Sequence, residues 1–526
     1  MAALSALPPD AHPWSSLLAR EDVVLDHGML HLRHDGVSPE HARRADLLQI
    51  ADALEGADVP FLLIRHGYRT PALVVDLAHR EDAWRALTGL CTTEPYYAKL
   101  KGVATMPVPD LAPQAGPASV RLFRPRITGP GGLRYGSAYG VRLEFWRMGA
   151  ETIEAPHGNA LTRRVTPRAD LSFTEVERYG RRWRTITGMF EPHPGEFTQD
   201  IDMVFSWVDG SSTDFQRQRA AQMAGYVVGE GDDSPARYRH VDELRYALRS
   251  VHMYAPWVRR IFIATDSPRP AWLADDPRVT VVRSEEFFAD PSVLPTHNSH
   301  AVEAQLHRID GLAEHFLYSN DDMFFGRPVQ PELFFSPAGL SQFVECDVRI
   351  GAGAPDPRRS GHDNALRVNR ALLAERFGRT ITHDLEHCAT PLRRSVAAEL
   401  EQAFPADFAR TAASRFRSGT DISVTNSLYH YYAMFTGRAV ATTAPRTRYY
   451  QTTLADSLRR MERLSERRDV DMFCLNDGGT GAEVPEEVRV RVVTGLLERM
   501  FPVRAPWERD VSAGSAAGRS EASVAH

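Results

Sequence analysis

Residues 314–327 read EHFLYSNDDMFFGR, and the reading of this stretch decides the fold. The apolar run Phe316-Leu317-Tyr318 leads into Asn320-Asp321-Asp322, and Met323-Phe324-Phe325 follows at once. The pattern predicts a buried strand that delivers two adjacent carboxylates at its C-terminal end. Side by side the two carboxylates repel, and partial burial among aromatics raises that cost. Mg2+ or Mn2+ removes it, because hard cations take carboxylate oxygens and share them with substrate phosphates. A helix cap or Asx turn uses the same residue types, so this stretch by itself leaves a cation site and a turn both open.

Composition narrows the class. At 526 residues, with 43% hydrophobic and 25% charged residues, the chain has the make-up of a soluble globular protein of several domains. A net charge of −6 argues against nucleic acid as the main partner. Cys91, Cys346, Cys388 and Cys474 are scattered without CxxC spacing, so neither a disulfide framework nor a zinc site is indicated. The opening MAALSALPPDAHPWSS has no basic or apolar leader region, and no run reaches the length of a membrane span. A cytoplasmic protein is expected.

Outward from the acidic stretch, the chain falls into segments. In residues 1–195 helices are expected over 41–56 and 80–90, with strands at 61–64, 72–76, 119–124 and 140–147. This reads as an α+β domain without a chemical motif. From Asp200 an apolar strand runs to Trp207 and ends in Asp209-Gly210. A helix opens near Arg239, with Val241, Leu244, Leu248 and Val251 on one face. Strands at 259–266 and 279–284 follow, then a helix from Asn298 through Ile309, then the opening stretch. Strands alternating with helices predict a doubly wound, mainly parallel α/β sheet. Ligands gather at the C-terminal ends of such strands. That places Trp207, Asp209, Gly210 and Asp266 at a site, with Trp207 either a stacking face or a core residue. The expected organisation is an α+β domain at 1–195, a catalytic domain at 196–485, a C-terminal helix at 486–509 and a disordered tail at 510–526.

Four blocks carry a family resemblance: DIDMVFSWVDG at 200–210, RYRHVDELRYALRSVHMYAPWVRRIFIATD at 237–266, THNSHAVEAQLHRIDGLAEHFLYSNDDMFFG at 296–326, and Phe473-Cys474-Leu475-Asn476-Asp477. Together they resemble the conserved regions of the Stealth family of sugar-1-phosphate transferases, in family order. The resemblance implies a GT-A-like fold, a UDP-sugar donor carrying an N-acetylhexosamine, and attack of a glycan hydroxyl on the β-phosphorus with release of UMP. The product would be a phosphodiester in a cell-surface or capsular polysaccharide. The acceptor would be a polysaccharide or lipid-linked glycan, with peripheral association to a membrane-bound assembly system.

The resemblance also implies residue roles. Asp321 and Asp322, with Asp209, would hold Mg2+ or Mn2+, and Asn320 would add a polar contact. The base is Asp321, Asp322 or His387. The segment 381–391 puts His387, with His383 as the other candidate, in the active site. Arg417, with Arg415 beside it, would stabilise the transferring phosphoryl group. Arg239 and Arg245 would reach the pyrophosphate. Asn298 and His300 would cap a helix and touch substrate; the His297/His300 spacing by itself does not make a zinc site. Asn476 and Asp477 would close the donor site, although Asn-Asp-Gly-Gly is also good hairpin chemistry. Two rival classes remain in view: a GT-A glycosyltransferase releasing UDP, and a noncatalytic glycan-binding scaffold.

Overall fold

The computed structural model describes residues 14–67, 70–111, 117–129, 132–223, 241–477 and 482–509. The chain divides into two compact units, Met1–Glu196 and Phe197–His526.

In the first unit, helix Pro39–Glu55 starts on Ser38, whose hydroxyl accepts from His41 N, with Pro39 at the first helical position. Its Leu47, Ile50, Ala51 and Leu54 are buried with Leu63, Leu73 and Val75 of the neighbouring strands. Those strands, Phe61–His66, Thr70–Asp76, Ser119–Phe123 and Val141–Met148, all belong to one eight-stranded sheet. Helix Arg80–Leu90 adds Ala83, Trp84 and Leu87 to the same core. These elements match the expected ones. The hairpin Val23–Asp26 with Met29–His34 does not. Its periodicity is broken because Leu25 is 58% exposed while His31 is buried, and its turn rests on His27 and Gly28 at positive φ.

The second unit is built on strands β1 (Ile201–Ser206), β2 (Ile261–Ala264), β3 (Val279–Val282) and β4 (His315–Asn320). These pair in parallel, and the sheet order is β3-β2-β1-β4 with an antiparallel fifth strand, Thr390–Arg393, beyond β4. The chain steps outward from β1 to β3, then returns to set β4 on the other side of β1. That reversal is a topological switch point, where the C-terminal ends of neighbouring strands diverge and leave a crevice. Ser206 and Asn320 are register partners at that point. The expected parallel α/β architecture is therefore observed, with the acidic stretch at the switch.

A second, three-stranded sheet completes the crevice. Strand β5 (Met323–Phe325) pairs antiparallel with Met472–Asn476, which itself pairs in parallel with Thr447–Gln451. Leu475 N donates to Asp322 O at 2.9 Å, so the fourth sequence block is clipped directly onto the acidic one.

Two expectations change. The helix expected from Asn298 to Ile309 is α-helical only over Ser299–Glu303, with a 3-10 turn at Leu306–Arg308. Between them, buried Gln305 turns its side chain to Ala289 N and Ala304 O. The C-terminal helix spans Glu486–Met500 and packs on Ala455–Arg467 and Glu243–Tyr254, within the second unit. Pro502 cannot continue it, and the chain turns back to seat Glu508 on Arg245 and Arg249. The tail expected at 510–526 lies outside the described residues. Among the described residues no helix is long and apolar enough to cross a membrane.

The base of β1 is pinned by Asp202, which is fully buried. Its carboxylate accepts from Arg259 Nε and Nη2 at 2.9 and 2.6 Å, from Arg260 N at 3.2 Å and from Ala313 N at 2.8 Å. Removing it strands backbone donors from two crossings of the sheet. Asp202→Ala is expected to destabilise the second unit by about 2–3 kcal/mol in urea unfolding; a change below about 0.5 kcal/mol would contradict this account.

Candidate functional site

Asp322 is held between the two sheets. Among the described residues its Oδ1 is buried with no hydrogen-bond partner, and its Oδ2 accepts a weak bond from Cys474 Sγ at 3.5 Å. Burial pushes its carboxyl up to about 7, with the charges of Glu243 and Asp477 adding to the shift and the Cys474 thiol opposing it. Helix Glu243–Tyr254 contributes the first of these neighbours. The end of strand Met472–Asn476 contributes the second. Asp477 is anchored by the Thr452 hydroxyl and by Arg489 at 3.6 Å. Several carboxylates facing one orphaned oxygen make a donor set that suits a hard divalent cation. Among the described residues no group of three or more His, Cys, Asp or Glu could hold a metal ion by itself, so a cation here would complete its shell from water and substrate phosphate.

Asn320 sits beside this pair in a buried polar chain. Its Oδ1 lies 3.2 Å from Ser206 Oγ and 2.7 Å from the Tyr318 hydroxyl. The Tyr318 hydroxyl is 3.2 Å from Glu303 Oε1, and Thr425 donates to Glu303 Oε2 at 2.6 Å. The network ties β1 to β4 and fixes where the acidic residues emerge.

Arg417 defines a second side of the site. Its Nη2 donates to Ser299 Oγ at 2.8 Å. Its loop is held by Asn298, whose Nδ2 donates to Ser414 O, Phe416 O and Asp421 Oδ2, while its Oδ1 accepts from His300 N. Asn298 is 1% exposed; it caps helix Ser299–Glu303 as expected and also positions the arginine loop. His300 is buried 3.9 Å from Asp421 and supports the same loop. His297 stacks on Phe416 at 5.3 Å.

His387 lies within electrostatic reach of Arg417, while His383 Nδ1 lies 3.1 Å from Thr382 Oγ1 and 3.9 Å from Glu345 Oε2. Burial lowers His387 to about 4, with His362 and Arg417 acting in the same direction and Asp384 opposing. Its ring lies 6.1 Å from His362 and 5.2 Å from Tyr449, centroid to centroid. Tyr449 is 44% exposed and is the register partner of Cys474. The tyrosine thereby links the histidine side to the Asp322 side.

Other expected contacts fall elsewhere. Arg245 donates to Glu508 at 2.7 Å, so the pyrophosphate role assigned to it is already taken by an ion pair with a residue far along the chain. Asp266 Oδ1 accepts from Ser284 N and caps the end of β3. Asp209 Oδ1 accepts from Ser211 N and Oγ, an Asx turn that competes with the cation role. Trp207 is 8% exposed, a core position more than a stacking face. Gly210 O accepts from Gln216 Nε2, and Asn476 O accepts from Thr452 N. Arg415 is exposed, and its carbonyl accepts from His297 N. Arg239 lies outside the described residues. Sequence reasoning gave no role to Tyr449, His362 or Asp384; Asp384 lies within the 381–391 segment, but only the three-dimensional pairing reveals its partner.

Because the folded-state value for Asp322 lies above that of the unfolded chain, the folded protein holds an extra proton between about pH 4 and pH 7. Stability contributed by this group therefore falls as pH rises through that window. In metal-free buffer Asp322→Asn is expected to flatten the decline between about pH 5 and pH 7.5, gaining about 1–2 kcal/mol at the upper end. Superimposable wild-type and variant melting curves at both pH values would contradict the buried carboxylate.

Comparison with known proteins yields four matched conserved regions, described as Stealth protein CR1 over residues 199–227, CR2 over 237–343, CR3 over 386–434 and CR4 over 462–515. The chain is 52% identical over 497 residues to the exopolysaccharide phosphotransferase CpsY of Mycobacterium tuberculosis, covering 93% of this chain and 92% of that protein. It is 54% identical over 471 residues to an exopolysaccharide phosphotransferase of Nocardia farcinica, covering 90% and 88%. Among solved structures, the galactosyltransferase LgtC in complex with donor and acceptor sugar analogs covers 60% of this chain and 99% of its own, at 10% identity and a TM-score of 0.30.

Proposed function

The chain belongs to the Stealth family, and from that premise we propose that it transfers a hexose-1-phosphate, an N-acetylhexosamine-1-phosphate, from a UDP-sugar to a glycan hydroxyl. It is a phosphotransferase, and relatives named exopolysaccharide phosphotransferases support sugar-phosphate transfer in polysaccharide synthesis. The finer reading concerns the bond that breaks. The acceptor oxygen bonds to the β-phosphorus, the bond from that phosphorus to the bridging α–β oxygen breaks, UMP leaves, and the hydroxyl proton passes to a base.

The observation that carries this reading is the buried, unpartnered Oδ1 of Asp322 facing a site whose other side holds Arg417 and His387. Phosphoryl transfer depends on positioning and charge neutralisation more than on covalent chemistry. Asp321 and Asp322 would hold Mg2+ or Mn2+, and the charges of Glu243 and Asp477 that act on Asp322 would favour a cation there. Such a cation supplies charge neutralisation on the pyrophosphate oxygens. Arg417 offers a planar fork for the phosphoryl oxygens. Tyr449, exposed at the mouth, offers an aromatic face to a sugar or base. His387, kept neutral at pH 7 by burial, can hydrogen-bond a phosphate oxygen or the acceptor without adding charge. A UDP-sugar donor also favours the cytoplasmic location expected from the sequence, with peripheral association to a membrane-bound assembly system.

The test is the nucleotide released from UDP-N-acetylglucosamine with Mg2+ and a short glycan acceptor. Acceptor-dependent UMP is expected, with kcat lowered about 10²–10³-fold in both Asp322→Asn and Arg417→Lys. Acceptor-dependent UDP would move the attack to the anomeric carbon and favour an ordinary glycosyltransferase.

A further inference from the structure

His362 is the second residue of helix Gly361–Phe377, in a stretch that falls between the matched regions ending at 343 and beginning at 386. Its Nε2 lies 2.9 Å from Asp384 Oδ2. Asp384 is 6% exposed, and its other oxygen accepts from Leu385 N at 2.8 Å and Asn426 Nδ2 at 3.1 Å. Three donors on different parts of the chain thus fix one carboxylate, which in turn fixes one imidazole. A carboxylate on Nε2 selects the tautomer with hydrogen there and leaves the Nδ1 lone pair as the basic atom.

The helix start is pressed against the phosphate-side arginine. A Cβ on Gly361 would come within 2.6 Å of Arg417 Cβ, so only glycine lets His362 approach so near. The His362 side chain is 32% exposed. With Nε2 directed at a buried carboxylate, that exposure belongs to the remaining ring edge, beside His387 at 6.1 Å.

We propose that His362 and Asp384 form an acid–base dyad that takes the proton of the acceptor hydroxyl, the acceptor being a polyhydroxyl glycan. The proposal rests on the phosphoryl-transfer reading above. As the acceptor oxygen bonds to the β-phosphorus and UMP departs, the hydroxyl proton moves to His362 Nδ1; it is lost to water once the phosphodiester has left. Asp384 stays ionised throughout and balances the imidazolium, the arrangement of a serine-hydrolase triad with a glycan hydroxyl in place of the serine.

His387 is poorly suited to that task, because burial and the neighbouring His362 and Arg417 hold it far below neutrality. His362 holds the Asp384 carboxylate directly at 2.9 Å, whereas Asp384 only partly offsets the burial of His387. Although burial works against it, the Asp384 carboxyl is held below its ordinary value, chiefly through His362. The groups facing His362 are Asp384 from strand His383–Leu385, His387 beyond it, Arg417 across the helix start, and Asp363 on its own helix. Asp363 is already engaged with Arg367 and Arg359.

Two measurements on the full chain test the dyad. In 13Cε1-histidine NMR titrations of the substrate-free protein, the His362 pKa should fall by about one unit or more in Asp384→Asn, as loss of a paired carboxylate requires. With UDP-N-acetylglucosamine, Mg2+ and a short glycan, His362→Gln should lower kcat for UMP release about 10²–10⁴-fold with donor affinity retained. It should also abolish the acid limb of the pH–rate profile. An unchanged His362 titration, or a His362→Gln enzyme with wild-type kcat and an intact acid limb, overturns the dyad. A wild type that releases UDP while the titration difference persists fails the phosphoryl-transfer reading instead, and overturns the proton's assignment with it.

Discussion

The buried Oδ1 of Asp322, which no donor among the described residues reaches, sits where three chain segments are forced together. Strand His315–Asn320 brings it to the switch point, strand Met472–Asn476 closes over it, and helix Glu243–Tyr254 turns Glu243 toward it. An apolar residue in its place would remove both a desolvation cost and a like-charge cost. A fold that keeps the carboxylate gains nothing from it until positive charge arrives. The site is therefore incomplete by construction, and the surrounding architecture serves to hold that incompleteness rigid.

Rigidity comes from polar networks placed behind the site. Ser206, Tyr318, Asn320, Glu303 and Thr425 lock the two central strands at their C-terminal ends. Asn298 and Asp421 perform the corresponding task for the loop that carries Arg417. Neither network needs to touch a substrate. Each turns a mobile side chain into a fixed one, which is what phosphoryl transfer asks of a protein. The two sides of the crevice meet through Tyr449, which contacts His387 and lies opposite Cys474.

Much of the fold was legible because local pattern and global placement agree. The apolar runs at 201–206, 261–264, 279–282 and 315–320 are buried parallel strands, and their order follows from alternation with helices. The position of the acidic pair at the end of β4 was legible for the same reason, although caps and turns use the same residue types. Long-range pairing was not legible. Arg245 looked like a phosphate contact at a helix start, but Glu508 claims it from the far end of the chain. Asn298 carried the right residue type for either a cap or a substrate contact, and only the three bonds from its side-chain amide to the 414–421 loop decide between them. The His362–Asp384 pair spans 22 residues, and although Asp384 lies in the 381–391 segment, nothing in the sequence marks His362 as its partner. The hairpin at 23–34 was hidden by an exposed leucine and a buried histidine that invert the usual pattern.

The central claim is that the bond broken lies between two phosphorus centres and not at the sugar carbon. It is tested most directly by following the β-phosphorus itself. With UDP-N-acetylglucosamine carrying 32P at the β-position and a short glycan acceptor, the label should appear in the glycan, released as inorganic phosphate only after mild acid removes the sugar and phosphatase follows. Label remaining in UDP while the sugar enters the glycan would contradict the account.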